Sequence, residues 1–211
     1  KGNLEKIMTI NRSKFALFLL AVILIEGYVV LAAELLAMRQ LTPFVGNATD
    51  TVSIIIAAVL MPLAFGYHSG GSFKPGLRNG TYYSVRAKLR YNFFVSMCIL
   101  AIGSSYVFLT IFFFSFYEAG ITNRFLLTTI YSALFLVVPV YLLGQTIPLI
   151  GHYFRKQQLS RATGYMLFFS TLGSFMGAVF STLFLMNTIG VHNSATFLIF
   201  CLGLLIFLLQ K

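Results

Sequence analysis

Two glutamates lie within the first long apolar segment of the chain, where an ionisable side chain is costly. Glu26 is near the middle of this segment and Glu34 follows eight residues later. A charged side chain at the centre of a bilayer costs ~2.5–3.5 kcal/mol, so each carboxylate needs a reason to be there. Eight residues correspond to about 12 Å and roughly 80° of rotation in an α-helix, so both would share a broad face. Facing a polar cavity, the pair would suit a cationic substrate or handle a proton.

Two further polar residues complete this candidate substrate-binding set. Arg39 follows Glu34 by five residues at the far end of the segment, and Gln145 lies deep at the end of another apolar segment. The structural alternative is that Glu34 pairs with Arg39 or with helix ends across the bundle, while Glu26 stays protonated and donates a hydrogen bond. By depth, its partners would be Ser104, Ser105, Tyr131, Ser132 and Ser181.

Six apolar segments must position these residues. They cover about 14–38, 51–69, 92–117, 125–150, 164–186 and 192–209. Each is close to or longer than the roughly 20 residues of a transmembrane helix. The chain is 58% hydrophobic and only 9% charged, which is too little charge to cover a soluble domain. The sequence therefore predicts an all-α, polytopic membrane helix bundle of about six transmembrane helices, forming a single domain over residues 1–211.

The basic residues alternate between the segments in a way that predicts orientation. Thirteen of the fifteen Lys and Arg residues precede the first segment, follow the sixth, or lie in the second-to-third and fourth-to-fifth connections; Arg39 and Arg124 are the exceptions. Short loops rich in Lys and Arg stay on the cytoplasmic side. This predicts a multi-pass protein of the cell (inner) membrane with both ends in the cytoplasm. It also explains the net charge of +10 without a nucleic-acid partner, and predicts attraction to anionic lipid head groups on that side.

Small residues predict helix packing and allow an internal repeat. Gly66 and Gly70, and Gly173 and Gly177, stand four residues apart, a spacing that lets two helix backbones approach closely. Residues 41–46 (LTPFVG) resemble residues 146–151 (TIPLIG), as expected of a three-plus-three inverted repeat of the kind found in transporters. The alternative is that Pro and Gly commonly end helices.

The motifs of soluble catalytic cores are absent from the sequence. There is no dinucleotide-binding or Walker glycine loop and no Cys/His cluster with metal-ligand spacing. We therefore expect no cofactor, no metal site and no catalytic residue in this chain.

The segment from Glu26 to Gly71 resembles the membrane domain of the spermidine-synthase-like integral membrane proteins. The residues that carry this resemblance are Glu26-Gly27, Ala33-Glu34-Leu35-Leu36, Arg39, Leu41, Pro43, Gly46, Leu63-Ala64-Phe65-Gly66-Tyr67 and Gly70-Gly71. A second stretch is similar through Pro148, Gly164, Leu172-Gly173, Gly177 and Ile189-Gly190-Val191, although Ser170-Thr171 replace the usual Asn-Thr and the chain has no Trp.

This resemblance implies a soluble aminopropyltransferase domain after Lys211 in the longer relatives, and none of that domain's motifs lie in this chain. Two functions follow as alternatives. The first is a transporter-like domain that binds or moves a cationic small molecule such as a polyamine, with Glu26 and Glu34 facing a hydrated cavity. The second is a non-catalytic membrane subunit or anchor in a larger complex, whose glycine-rich and aromatic faces pack against other subunits or a second copy.

Overall fold

A computed structural model describes the backbone of residues 2–78, 81–154 and 159–210, and the side chains of residues 15–76, 84–154 and 159–210. Several residues used in the orientation argument, namely Lys1, Arg155, Lys156 and Lys211, lie outside the described residues. The described part is almost entirely helical, as predicted.

The helices follow the apolar segments, with differences at their ends. They are α1 (Gly2–Val45), α2 (Thr49–Gly71), α3 (Val85–Gly103), α4 (Tyr106–Glu118), α5 (Arg124–Ser132), α6 (Val138–Gly144), α7 (Thr146–Gly151), α8 (Leu159–Phe180), α9 (Met186–Thr188) and α10 (Gly190–Leu208). π-helical turns over Ala133–Val137 and Ser181–Leu185 join α5 to α6 and α8 to α9. A short antiparallel hairpin, β1 (Gly76–Arg78) and β2 (Thr81–Tyr83), connects α2 to α3.

The first helix continues past the predicted end at residue 38. Pro43 lies inside its last turn, and the helix stops where Gly46 takes a φ of 78° while its N–H donates to the Thr42 carbonyl. A left-handed residue after the last turn is a common helix terminator and favours glycine. The helix end is therefore set by Gly46 and not by the proline.

The third apolar segment is not the single straight helix that was predicted over 92–117. It begins earlier, at Val85, where the Ser84 hydroxyl accepts a hydrogen bond from the Ala87 N–H, and it bends by 62° between α3 and α4. At the break, the Ser104 hydroxyl donates to the Leu100 carbonyl. Serine side chains compete in this way with regular helix bonds and bend helices.

Two close helix crossings hold the bundle together, and both use the paired glycines. A side chain at Gly173 or Gly177 would overlap the backbone carbonyls of Leu24 and Tyr28 in α1. A Cβ at Gly66 would lie 2.5 Å from the Tyr141 oxygen, and one at Gly70 would lie 2.9 Å from the Gln145 oxygen. The α8 glycines therefore pack on α1, and the α2 glycines pack on the α6–α7 segment.

These crossings also bear on the path of the bent α3–α4 pair. Five spans are long and apolar enough alone, and they are the first, second, fourth, fifth and sixth in chain order: Phe15–Val45, Thr49–Gly71, Arg124–Gly151, Leu159–Thr188 and Gly190–Leu208. The bent α3–α4 pair is a further span, the third, or a re-entrant loop. Along the α2 crossing, residue numbers rise together on both helices, so the second and fourth spans run parallel. Parallel spans need an odd number of crossings between them. The parallel packing thus favours a crossing by the bent pair, and by length and composition the described residues form five to six spans.

Candidate functional site

Glu26 is buried in the middle of α1, and its carboxyl group has no hydrogen-bond or ion-pair partner among the described residues. The residue is 2% exposed, and its Oε2 atom is enclosed without a hydrogen bond. Within the described residues, the carboxyl group makes no hydrogen bond or ion pair. A group of this kind at membrane depth is expensive and marks a substrate, ion or proton pathway more often than a structural role.

Among the described residues, none of the hydroxyl groups predicted as partners of Glu26 makes a hydrogen bond with it, and Ser132 Oγ is itself buried without a partner. The Tyr131 hydroxyl donates to the Gly103 carbonyl, and Ser181 shares a 2.8 Å hydrogen bond with Tyr28. Ser104 lies at the level of Gln40, whose amide donates to the Ser104 carbonyl over 2.9 Å. Gln40 is about 21 Å along α1 from Glu26 at 1.5 Å per residue. The early start of α3 and its bend place Ser104 near one end of the bundle and not at its centre.

Tyr67 of α2 lines a cavity, whereas Glu26 is not among the residues that line it. The Tyr67 phenol interacts electrostatically with the Glu26 carboxyl group, and the Tyr67 side chain is 37% exposed. The cavity measures about 380 Å³ and lies between α2, α7 and the start of α8, and its other polar lining residues are His152 and Thr163. Small-molecule sites usually measure roughly 300–1,000 Å³, so this cavity can hold a small ligand.

The cavity opens at one end of the bundle, beside the helix ends that carry the basic connections. Gly71 ends α2, while Gly151 and His152 end the fourth span. Lys74 is the third residue after α2, and Arg161 lies in the first turn of α8.

Glu34 and Arg39 do not form the ion pair that the structural alternative offered as one of its two possibilities. Glu34 is 9% exposed, Arg39 is exposed, and among the described side chains neither makes a salt bridge or hydrogen bond. The ion pair that the structure does contain joins Arg124 Nε to Asp50 Oδ2 at 3.5 Å, with both side chains largely solvent-accessible. Glu34 is therefore a second covered carboxylate without a partner in the described chain.

Gln145 belongs to a different polar pair, which the sequence analysis missed. Its Oε1 accepts a 2.9 Å hydrogen bond from Asn92 Nδ2, which also donates to the Leu142 carbonyl over 3.1 Å. Asn92 is fully buried and Gln145 is 3% exposed. No hydrogen bond within the described residues joins Gln145 to Glu26 or Glu34. The sequence signal for this pair is Asn92, a polar residue at the start of an apolar segment, and it served only to mark where that segment begins.

The site offers carboxylates, a phenol and an imidazole, but no metal-binding group of three ligands occurs among the described residues. Fold and site together define a multi-pass helical membrane protein with unpaired acidic side chains in its first span. Compared with protein-family models, curated proteins and solved structures, the chain matches none.

Proposed function

We propose that this chain is a transporter-like membrane protein that binds a cationic small molecule, with Glu26 as its anionic contact. The observation that carries the proposal is the buried carboxyl group of Glu26, which makes no hydrogen bond or ion pair within the described residues. Tyr67, whose phenol interacts electrostatically with this group, lines the 380 Å³ cavity. A bound cation would supply the missing charge partner and offset the cost of a buried carboxylate.

A polyamine is the first cation to test. The resemblance of Glu26–Gly71 to the membrane domain of spermidine-synthase-like proteins supports this choice, since Tyr67 and Glu26 both belong to the matching residues. In this proposal, the protonated amine reaches Glu26 through the cavity, and Tyr67 contributes a phenol oxygen or ring face to it.

We further propose the inner membrane as the location, with both ends in the cytoplasm. The excess of Lys and Arg in alternate connections supports this orientation, and six spans place both ends on one side. The cavity mouth beside Lys74 and Arg161 then faces the cytoplasm.

Two variants test the role of Glu26 directly. Glu26→Gln keeps the shape and hydrogen-bonding capacity but removes the charge, so spermidine binding to the purified protein and uptake into proteoliposomes should fall by about tenfold or more, the worth of a charge-assisted contact. Glu26→Asp should retain part of the binding. The control is Glu118→Gln, which removes a carboxylate from the exposed end of α4 and should change neither measurement.

A silent Glu26→Gln variant would favour the alternative of a membrane subunit or anchor. In that case the protein should instead co-purify in a stable complex. The four paired glycines are occupied within the chain, so such a partner would have to contact other faces of the bundle.

A further inference from the structure

The two glycine crossings are copies of one another. Gly66 and Gly70 meet the Tyr141 and Gln145 carbonyls as Gly173 and Gly177 meet those of Leu24 and Tyr28. The contacts are also reciprocal, because a Cβ at Gly144 would lie 3.0 Å from the Leu63 oxygen, and one at Gly27 would overlap the Ser170 oxygen. At these contacts, each residue of α2 has its equivalent in α8 107 positions later, and each residue of α1 has its equivalent in the fourth span 117 positions later.

This correspondence is the one that a three-plus-three repeat requires. If the first three spans are exchanged with the last three, the crossing of the second and fourth spans becomes the crossing of the fifth and first spans. The same exchange turns the packing of α10 on α1 into that of α3 on α6, and maps the packing of α3 on α10 onto itself; the structure contains all of these contacts. Because each half has three spans, the two halves are inverted relative to each other in the membrane.

The register of this repeat differs from that of the hexapeptide match. Residues 41–46 and 146–151 are 105 positions apart, whereas the crossings relate α1 to the fourth span by 117. Pro148 thus corresponds to Leu31 and not to Pro43. The hexapeptides are separate helix endings, and the repeat is carried by the glycine contacts.

The repeat predicts a second cavity at the opposite end of the bundle. In the observed cavity, Gly71 and Gly151 lie near its mouth. Their counterparts are Ala178, by the shift of 107, and Glu34, by the shift of 117. Glu34 is 91% buried and has no hydrogen bond or ion pair within the described residues. The region equivalent to the open cavity therefore contains a buried carboxylate without a partner among those residues.

We propose that Glu34 is a second cation-binding carboxylate, reached from the membrane face opposite the observed cavity when the bundle adopts the inverse arrangement of its two halves. This inference rests on the proposed cation binding at Glu26, and it adds a route by which the cation leaves on the opposite side of the membrane. A cation held at Glu26 from one side would be released past Glu34 to the other, about 12 Å further along α1.

Thiol reactivity of the full chain in membrane vesicles tests this opening. In a Cys98→Ser, Cys201→Ser background, Ala178→Cys reports on the second cavity and Thr163→Cys on the observed one. Leu183→Cys, which is 59% exposed on the same span, is the lipid-facing control. A membrane-impermeant thiol reagent applied to the face opposite the observed cavity should modify Ala178→Cys but not Leu183→Cys. Spermidine should change the rates at Ala178→Cys and Thr163→Cys in opposite directions by about fivefold or more, as expected for coupled openings.

The carboxylate itself is tested in the same assay. Glu34→Gln should abolish the spermidine response at Ala178→Cys while binding through Glu26 persists, and Glu34→Asp should restore it. The inference is overturned if Ala178→Cys is as unreactive as Leu183→Cys with and without spermidine, or if Glu34→Gln leaves the response intact. Failure of the proposed function has a different signature: Glu26→Gln is silent and spermidine has no effect, even where the reagent alone shows Ala178→Cys to be open.

Discussion

At the scale of single residues, the unpaired polar atoms of this protein are more informative than the paired ones. Glu26 Oε2 and Asn92 Oδ1 are both enclosed without a hydrogen bond. The amide nitrogen of Asn92 donates to Gln145 and Leu142, so these hydrogen bonds offset part of the free-energy cost of burying this side chain. Glu26 has no such network within the described residues, and this difference supports the proposed binding role of the glutamate and a structural role for the asparagine.

The Asn92–Gln145 pair should stabilise the contact between α3 and the fourth span. We expect Asn92→Ala and Gln145→Ala each to lower thermal stability in detergent, with a coupling energy of about 0.6 kcal/mol and at most about 1.7, as found for hydrogen bonds between membrane helices. A double-mutant cycle measures this coupling. Spermidine binding should be unchanged in Asn92→Ala; a loss of binding without a loss of stability would place the pair in the ligand site.

At the scale of elements, the bundle depends on two crossings in which no side chain separates the backbones. Ser174 adds a hydrogen bond of 3.2 Å to the Gly27 carbonyl at the α1–α8 crossing. Such close contacts let carbonyl and small side chains pack where lipid offers no hydrophobic driving force for association. Glycine is required here by the proximity of the facing carbonyl and not by an unusual backbone conformation.

Alanine substitutions within one helix provide a matched test of this packing. Gly173→Ala should destabilise the protein by about 1–3 kcal/mol, because the added methyl group overlaps the Leu24 carbonyl and forces the helices apart. Gly164→Ala, in the same helix with nothing within 4 Å of its Cβ, should be neutral or slightly stabilising because alanine favours helix. The measurement is the thermal unfolding midpoint in detergent; equal effects of the two substitutions would contradict the crossing.

The same comparison applies to α2. Gly66→Ala should be destabilising, since its Cβ would lie 2.5 Å from the Tyr141 oxygen, whereas Gly71→Ala meets only an ordinary 3.9 Å contact with Pro148. If the repeat is correct, Gly66→Ala and Gly173→Ala should have similar effects, because they occupy equivalent positions.

At the scale of the whole molecule, the parallel crossings and the charge distribution make a joint prediction about topology. Single cysteines at Asn47 and Asn123 should react with an impermeant reagent outside intact cells, and a cysteine at Lys74 should react only after the membrane is opened. These three positions follow or precede spans whose directions the crossings determine. Labelling of Lys74→Cys from outside would overturn the orientation, and labelling of Asn123→Cys from the same side as Lys74→Cys would show that the bent third span does not cross. Asn79 and Gln157, which the charge pattern also places inside, lie outside the described residues.

The sequence alone determined the class of fold and the set of polar residues worth attention. Hydropathy is a sum over about 20 neighbouring residues, so the six apolar segments and the all-α bundle are visible without knowledge of any contact. The burial of Glu26 followed from the same reasoning, since a carboxylate in the middle of such a segment is too short to reach the interface.

Only the tertiary structure decided which groups meet. The direction that a side chain faces depends on the rotation of its helix, and its depth depends on bends such as the one at Ser104, and neither quantity is encoded in local hydropathy. For that reason the hydroxyls chosen by depth proved wrong, Asn92 was missed, and Tyr67 with its cavity was found only in the folded bundle. The repeat has the same origin: it is carried by contacts between distant glycines and carbonyls, and backbone carbonyls leave no signature in a sequence.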